Sequence, residues 1–304
     1  MSQLHFIKRK EIDEAKWNSC IENAVNSLPY ALTWYLDSVA ENWDALVFND
    51  YEFVMPLVWL RKFGVPCLYQ PYYCQQLGVF GKSVDPKIQT EFLSYVTSKY
   101  LYAHINLNHS AKNVSEQFHL LPKKNLLLDL SASFSSIEKK YSENHKRNIS
   151  KATKAGMLFE EIASVKDFQE FYLQNINRAK ENFKPQHEKI FKQLTEVVSK
   201  KSAGMFLAVS DQAGKPMAAC LLIKHKNRII NIINTSSTEG KKSGASHFLF
   251  SQIIKEYASK NLVLDFEGSS IAGVARFYEG FGASPETFYN LQTNLLKNIT
   301  QRFS

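Results

Sequence analysis

The chain has 304 residues, 44% of them hydrophobic and 22% charged, with a formal net charge of +8. This balance excludes a disordered or collagen-like chain, and the length suggests roughly two domains of ~150 residues. The apolar runs are too short to span a bilayer, and MSQLHFIKRKEIDEAKW holds no apolar core of signal-peptide length, so a cytoplasmic protein without a membrane span is expected.

In chain order, LHFIK reads as a strand, followed by helices over 11–25 and 33–41. ALVFND and EFVMPLVWLRKF read as a hairpin turning at Asn49-Asp50. The aromatic stretch VPCLYQPYYCQQLGVFG leads to a helix over 85–100, with Ile88, Phe92, Tyr95 and Val96 on one face. YAHINLNHS and KNLLLDLSA are strands. This half is an α+β sheet domain, expected over residues 1–134.

At the junction, Ser135 followed by Glu138 has capping-box spacing, which predicts a helix from Ser135 to a stop at Gly156. Lys140, Arg147, Lys151 and Lys154 would share one face of it. Between 138 and 156 six basic residues stand against two acidic ones. That face is either an anion site, with Arg147 and Lys151 as candidates, or a solvated basic surface. The second half, residues 135–304, reads as a strand LFEEIA and helices over 167–180 and 189–201. Strands MFLAVS, MAACLLIKHK and RIINIINTSS follow. A helix over 244–259, the strand LVLDFEG, a short helix over 271–279 and the strand TFYNLQT close the chain. The four cysteines form no Cys-x-x-Cys and the eight histidines no zinc spacing, so reduced thiols and no metal are expected.

The order β-α-α-β-β-β-α-β-α-β resembles the GNAT acyltransferase fold. In that family the strands flanking the third helix splay apart, acyl-CoA lies in the gap, and its pyrophosphate sits on N–H groups at that helix's start. The resemblance puts the phosphate loop at Lys241, Lys242, Ser243, Gly244, Ala245 and Ser246, where Lys stands for the usual Arg or Gln. The alternative is an ordinary helix start capped by Ser243. HKRNISKATKAGM, the Gln-Gln-Leu-Gly of the first half and the stretch from Asp265 to Gly282 together resemble the Fem-type branch over nearly the whole chain. Members are tandem GNAT folds, the first degenerate and the second active. Some move amino acids from aminoacyl-tRNA onto a cell-wall precursor. Those carry Lys in a Phe-Lys-x-x-Phe pattern, where this chain has Tyr278.

N-acylation needs a base for the amine and an acid for the leaving thiolate. On an extended strand Val263, Asp265 and Glu267 share a face. Glu267 is the candidate base, Asp265 its positioner and Tyr278 the candidate acid; the alternatives are salt bridging at a strand end and interface packing. Arg276, with Arg147, is a candidate for an anionic acceptor. The expected function is acyl transfer from acyl-CoA to an amine of a small-molecule or cell-wall-precursor acceptor. Aminoacyl transfer from charged tRNA and a non-catalytic binder are the alternatives.

Overall fold

The computed structural model describes residues 3–111, 114, 117–178, 182–268 and 272–293. The chain forms two compact units, Met1–Lys123 with Thr287–Ser304, and Lys124–Glu286.

The first unit contains β1 (Leu4–Lys8), α1 (Glu14–Asn23), α2 (Thr33–Val39), β2 (Trp43–Phe48), β3 (Phe53–Lys62), β4 (Val65–Tyr69), β5 (Phe80–Gly81), α3 (Pro86–Lys99) and β6 (Ala103–Leu107). Asp85 caps α3, its Oδ1 accepting from Lys87 N at 2.8 Å, and Pro86 sits at the first helical position, where its missing N–H costs nothing. Phe92, Leu93 and Val96 of α3 are buried with Leu57, Leu68, Ile105 and Leu107 in this unit's core. β4 runs parallel to β6 only at Leu68↔Ala103 and Tyr69↔His104. Beyond that the chain's own loop covers β6. Gln70 Oε1 accepts from Asn106 N, the fully buried Gln76 accepts from His109 N, both at 2.8 Å, and Leu77 N donates to Asn106 O at 2.9 Å.

β7 (Leu120–Asp129) leads into the second unit, with α4 (Phe134–Glu138), α5 (Glu143–Lys154), β8 (Leu158–Glu161), α6 (Val165–Asn175), α7 (Pro185–Lys200), β9 (Gly204–Ser210), β10 (Pro216–His225) and β11 (Arg228–Ser236). Then come α8 (Thr238–Ser243), α9 (Ala245–Tyr257), β12 (Val263–Asp265), α10 (Ala272–Glu279) and β13 (Ser284–Gln292). Its strand order is β7-β12-β11-β10-β9-β8. The whole of Met217–Ile223 in β10 is buried, the pattern of a strand covered on both faces. Phe168 of α6 and Phe191 of α7 pack on one side, and Phe250, Ile253 and Ile254 of α9 are buried in the core with Leu222 and Leu264.

The mixed α/β architecture agrees with the expected tandem GNAT-like order. Four expectations are corrected. The division falls within β7 rather than after residue 134, and the chain returns to the first unit within β13, whose Tyr289–Gln292 pair with His104–Leu107 of β6. The junction is two helices, since Ser133 and Ser142, not Ser135, supply caps, accepting from Ser136 N and His145 N at 3.3 Å. Lys140 therefore lies outside α5 and shares no helical face with Arg147, Lys151 and Lys154; Gly156, at φ 67°, does stop the helix. Ser243 ends α8 instead of capping the next helix; Ser237 caps α8, accepting from Gly240 N at 2.9 Å. β12 ends at Asp265, and Glu267 sits at φ 55°, so the shared strand face does not extend to Glu267. Ala179 and Ile271, placed in helices by the sequence pattern, lie outside the described residues.

Candidate active site

β11 and β12 are parallel neighbours for three residue pairs, from Arg228↔Val263 to Ile230↔Asp265. β12 stops there while β11 continues to Ser236. The stop is local chemistry: Asp265 Oδ1 accepts from Glu267 N at 2.9 Å, and both Glu267 and Gly268 take positive φ. Gly268 cannot carry a side chain, because a Cβ would lie 2.4 Å from Lys124 O. On its other edge β11 keeps pairing with β10, but Leu221 faces Ile233 and Leu222 faces Asn231. The extra residue, Ile232, makes a bulge that turns β11 where it leaves β12. The pairing of β11 with β12 therefore ends at Ile230, and the second half of β11 runs on past it.

Tyr278 of α10 reaches β11 where that pairing ends. Its ring stacks on Phe266 at 4.5 Å, and its Oη accepts Nδ2–H groups from Asn231 (3.3 Å) and Asn234 (3.0 Å). Asn231 is buried and its Oδ1 has no partner; Asn234 is exposed. Burial pushes the phenol's pKa up to about 12; the two asparagines oppose the shift and Glu267 adds to it. Tyr278 is therefore a neutral phenol near pH 7. Glu267 is half-buried just past the end of β12.

Asp265 is 1% exposed, and its Oδ2 accepts from Arg228 Nη1 at 2.9 Å. Arg228 also holds Glu286, Nη2 to Oε1 at 2.7 Å. Burial pushes the Asp265 carboxyl above its usual range, opposed by Arg228 and the Glu267 amide. Burial alone would lower Arg228, but Glu286 and Asp265 hold its guanidinium above its ordinary value. Asp265 thus anchors the turn that carries Glu267 and is engaged in an ion pair.

The expected phosphate loop is a helical turn followed by a kink. Lys241 and Lys242 are exposed in the last turn of α8; Gly244 is left-handed at φ 84°, and Ala245 and Ser246 begin α9. The first turn of α9 presents N–H groups as any helix start does. α5 runs against it: a Cβ on Gly244 would lie 2.5 Å from Asn148 O, and Lys151 Nζ donates to Lys242 O at 2.8 Å. Arg147, one turn before Lys151, is exposed and bonded to Asn144 Oδ1 at 2.8 Å. So α5 brings Lys151 to the α8–α9 corner with Lys241 and Lys242, with Arg147 exposed one turn earlier on the same helix. Arg276 is exposed on α10, its Nε bonded back to Ala272 O at 3.3 Å, and makes no contact with that corner.

Residues 139–275 match the family model of the acetyltransferase (GNAT) domain. That segment is similar to the GNAT domain. The fold of the chain is also that of FemX, at a TM-score of 0.68 and 11% identity, covering 98% of this chain and 99% of that one. A conserved protein of unknown function from Bacteroides thetaiotaomicron aligns at 0.65 and 9% identity, over 95% and 100%. The C-terminal domain of an Agrobacterium fabrum protein named as a lysylphosphatidylglycerol synthetase aligns at 0.57 and 12% identity, over 95% and 96%. These likenesses speak for the fold. No curated protein matches the chain in sequence.

Within the second unit, one more group holds α10 in place. His145 is 3% exposed at the start of α5. Its Nε2 is 2.7 Å from Phe277 O and its Nδ1 2.8 Å from Ser142 Oγ. A carbonyl only accepts, so Nε2 carries the hydrogen and Nδ1 accepts from Ser142. Ser142 N donates to Gly280 O at 2.9 Å. The start of α5 thereby satisfies carbonyls at the end of α10, the helix bearing Tyr278. His247 of α9 lies 4.7 Å from His145, ring to ring, with its pKa pushed down to about 4 by burial and His145. The sequence reading did not single out the two histidines or the two asparagines. Among the described residues no cluster of His, Cys, Asp or Glu is able to hold a metal, all four cysteines are free and buried, and no helix is long and apolar enough to cross a membrane.

Proposed function

We propose that this protein transfers an acyl group from acyl-CoA to an amine of an anionic small-molecule or cell-wall-precursor acceptor. One observation carries the reading: β11 parts from β12 beside a buried, neutral Tyr278 whose oxygen already accepts two hydrogen bonds. With those acceptor sites filled, the phenol's own hydrogen is left for a departing thiolate, and the two N–H groups stabilise the phenolate that remains. Glu267 takes the proton of the attacking amine, and Asp265 fixes the turn that holds it. Lys151, Lys241 and Lys242 at the α8–α9 corner, with Arg147 one turn earlier on α5 and the first turn of α9, serve the donor's phosphates, and Arg276 an acceptor anion. In the first unit residues 70–77 lie along β6, where a corresponding gap between its strands would be.

A second reading, aminoacyl transfer from charged tRNA, is favoured by the tight packing of Gly244 on α5, which makes the corner a closed turn rather than an open glycine loop. Thermal unfolding with CoA and acetyl-CoA separates the two. A donor at ~100 times its dissociation constant adds about 2.7 kcal/mol, hence several degrees. No shift with either would sink the acyl-CoA reading and bring charged tRNA forward.

A further inference from the structure

The β3–β4 hairpin breaks a local rule. Lys62 pairs with Val65, so Phe63 and Gly64 alone form the turn, with φ of 51° and 78°. A two-residue turn with both residues left-handed suits Asn-Gly or Gly-Gly, and a bulky aromatic residue is strained there. Strain of this kind persists where the fold or the function requires it. Among the described residues nothing offsets it: Phe63 is 105% exposed, and a Cβ on Gly64 would meet nothing within 4 Å.

The surroundings have a consistent chemistry. Val65 and Tyr102 are also exposed, and Lys62 Nζ lies 5.3 Å from the Tyr102 ring centre. Arg61 Nη1 donates to Gly64 O at 3.0 Å, which stiffens the tip. Among the described residues neither Arg61 nor Lys62 is in an ion pair. Between Glu52 and Asp85 the sequence has no acidic residue, while it has Arg61, Lys62 and Lys82. An apex with one exposed aromatic ring, flanked by aliphatic and aromatic neighbours and unpaired cations, has the composition of an interfacial anchor. The ring would enter the boundary between headgroups and acyl chains, and the cations would meet anionic headgroups.

We propose that the Phe63 hairpin docks the protein on an anionic lipid surface, with Phe63 inserted and Arg61 and Lys62 against the headgroups. One ring and two cations make a weak, reversible anchor, in keeping with a protein that visits a membrane. This inference stands apart from the acyltransferase reading and survives or fails without it.

The test is co-sedimentation of the full chain with phosphatidylcholine vesicles, with and without phosphatidylglycerol, at low and high salt. Binding is expected to anionic vesicles only and to weaken with salt. General attraction of a basic protein would do the same, so the deciding variant is Phe63→Asn. Asparagine accepts left-handed backbone readily, so this variant should melt at or above the wild-type temperature. It should nonetheless lose about tenfold or more in vesicle affinity. Phe63→Trp should bind like the wild type and show a blue-shifted emission on anionic vesicles. Equal vesicle affinity of Phe63→Asn and wild type overturns the proposal, as does absence of wild-type binding. A concentration-dependent dimer that Phe63→Asn dissolves, with vesicle binding unchanged, also overturns it and assigns the tip to a second copy of the chain.

Discussion

Replacing Gly280 by alanine should unseat His145 and loosen the helix that carries Tyr278. Gly280 is not in the left-handed region, so an unobstructed alanine would stabilise the fold by about 0.4–1 kcal/mol. The space is not unobstructed: the new Cβ would lie 2.0 Å from His145 Cε1 and 2.5 Å from Nδ1. The imidazole has little room to yield, with Phe281 and His247 edge-on at 4.4 and 4.7 Å. Moving it breaks its bonds to Phe277 O and Ser142 Oγ, about 1 kcal/mol each, and overpacking adds about 1–3 kcal/mol. The net is a loss of about 2–4 kcal/mol, or roughly 5–15 °C in a unit of this size. His145→Ala alone should cost a similar amount. The double variant places the alanine methyl in the space the ring vacates, so urea unfolding of the four proteins should give a coupling of about 2 kcal/mol or more. Gly280→Ala as stable as wild type, or strictly additive losses, would refute the account of how α10 is held.

Three other outcomes follow from the same geometry. Tyr278→Phe keeps the stack on Phe266 but strips the Asn231 amide of its partner; it should cost about 1–2 kcal/mol in urea unfolding and lower turnover with any acceptor at least tenfold, with acetyl-CoA affinity unchanged. Arg228→Met strands Asp265 and Glu286 without their cation and should cost about 3–5 kcal/mol at neutral pH. The loss should shrink at pH 4, because the Asp265 pKa is raised by burial and its carboxyl can then protonate. His225 and His247 are both held near pKa 4 by burial, below the ~6.5 of an unfolded chain. The unfolded state therefore binds more protons as the pH falls below ~6.5. Melting temperature should be level above that value and fall between it and about 4, and His247→Leu should flatten part of the fall.

Much of the second unit was legible because its signals are strong and local. α7 carries Phe191, Leu194 and Val198 on one stripe, and β10 is a run of seven apolar residues bounded by polar ones, so period and length identify each element. The GNAT order followed from those elements. The junction misled because three serines lie within four residues, and capping depends on which one the rest of the chain can use. The asparagine pair was hidden for a different reason. On a regular strand Asn231 and Asn234, three apart, face opposite ways. The bulge at Ile232 resets the alternation and turns both toward Tyr278. Nothing in RIINIINTSS announces a bulge, since it is defined by the partner strand. His145 was hidden likewise: its ring partner Phe277 is remote in sequence and is met through a backbone carbonyl, which any residue supplies.

The last strand sets an order of assembly. Among the described residues β6 receives its antiparallel partner from Tyr289–Gln292, a segment made after every residue of the second unit. During synthesis the first unit therefore waits with one strand edge bare, while the second unit already has its full chain. Non-local pairings of this kind close slowly, and a bare edge recruits other strands. A ribosome stalled before Thr287 would hold a complete second unit tethered to an unfinished, adhesive one. Such a chain is a natural client for chaperones, and truncation that removes Tyr289–Gln292 should cause aggregation while leaving the second unit whole.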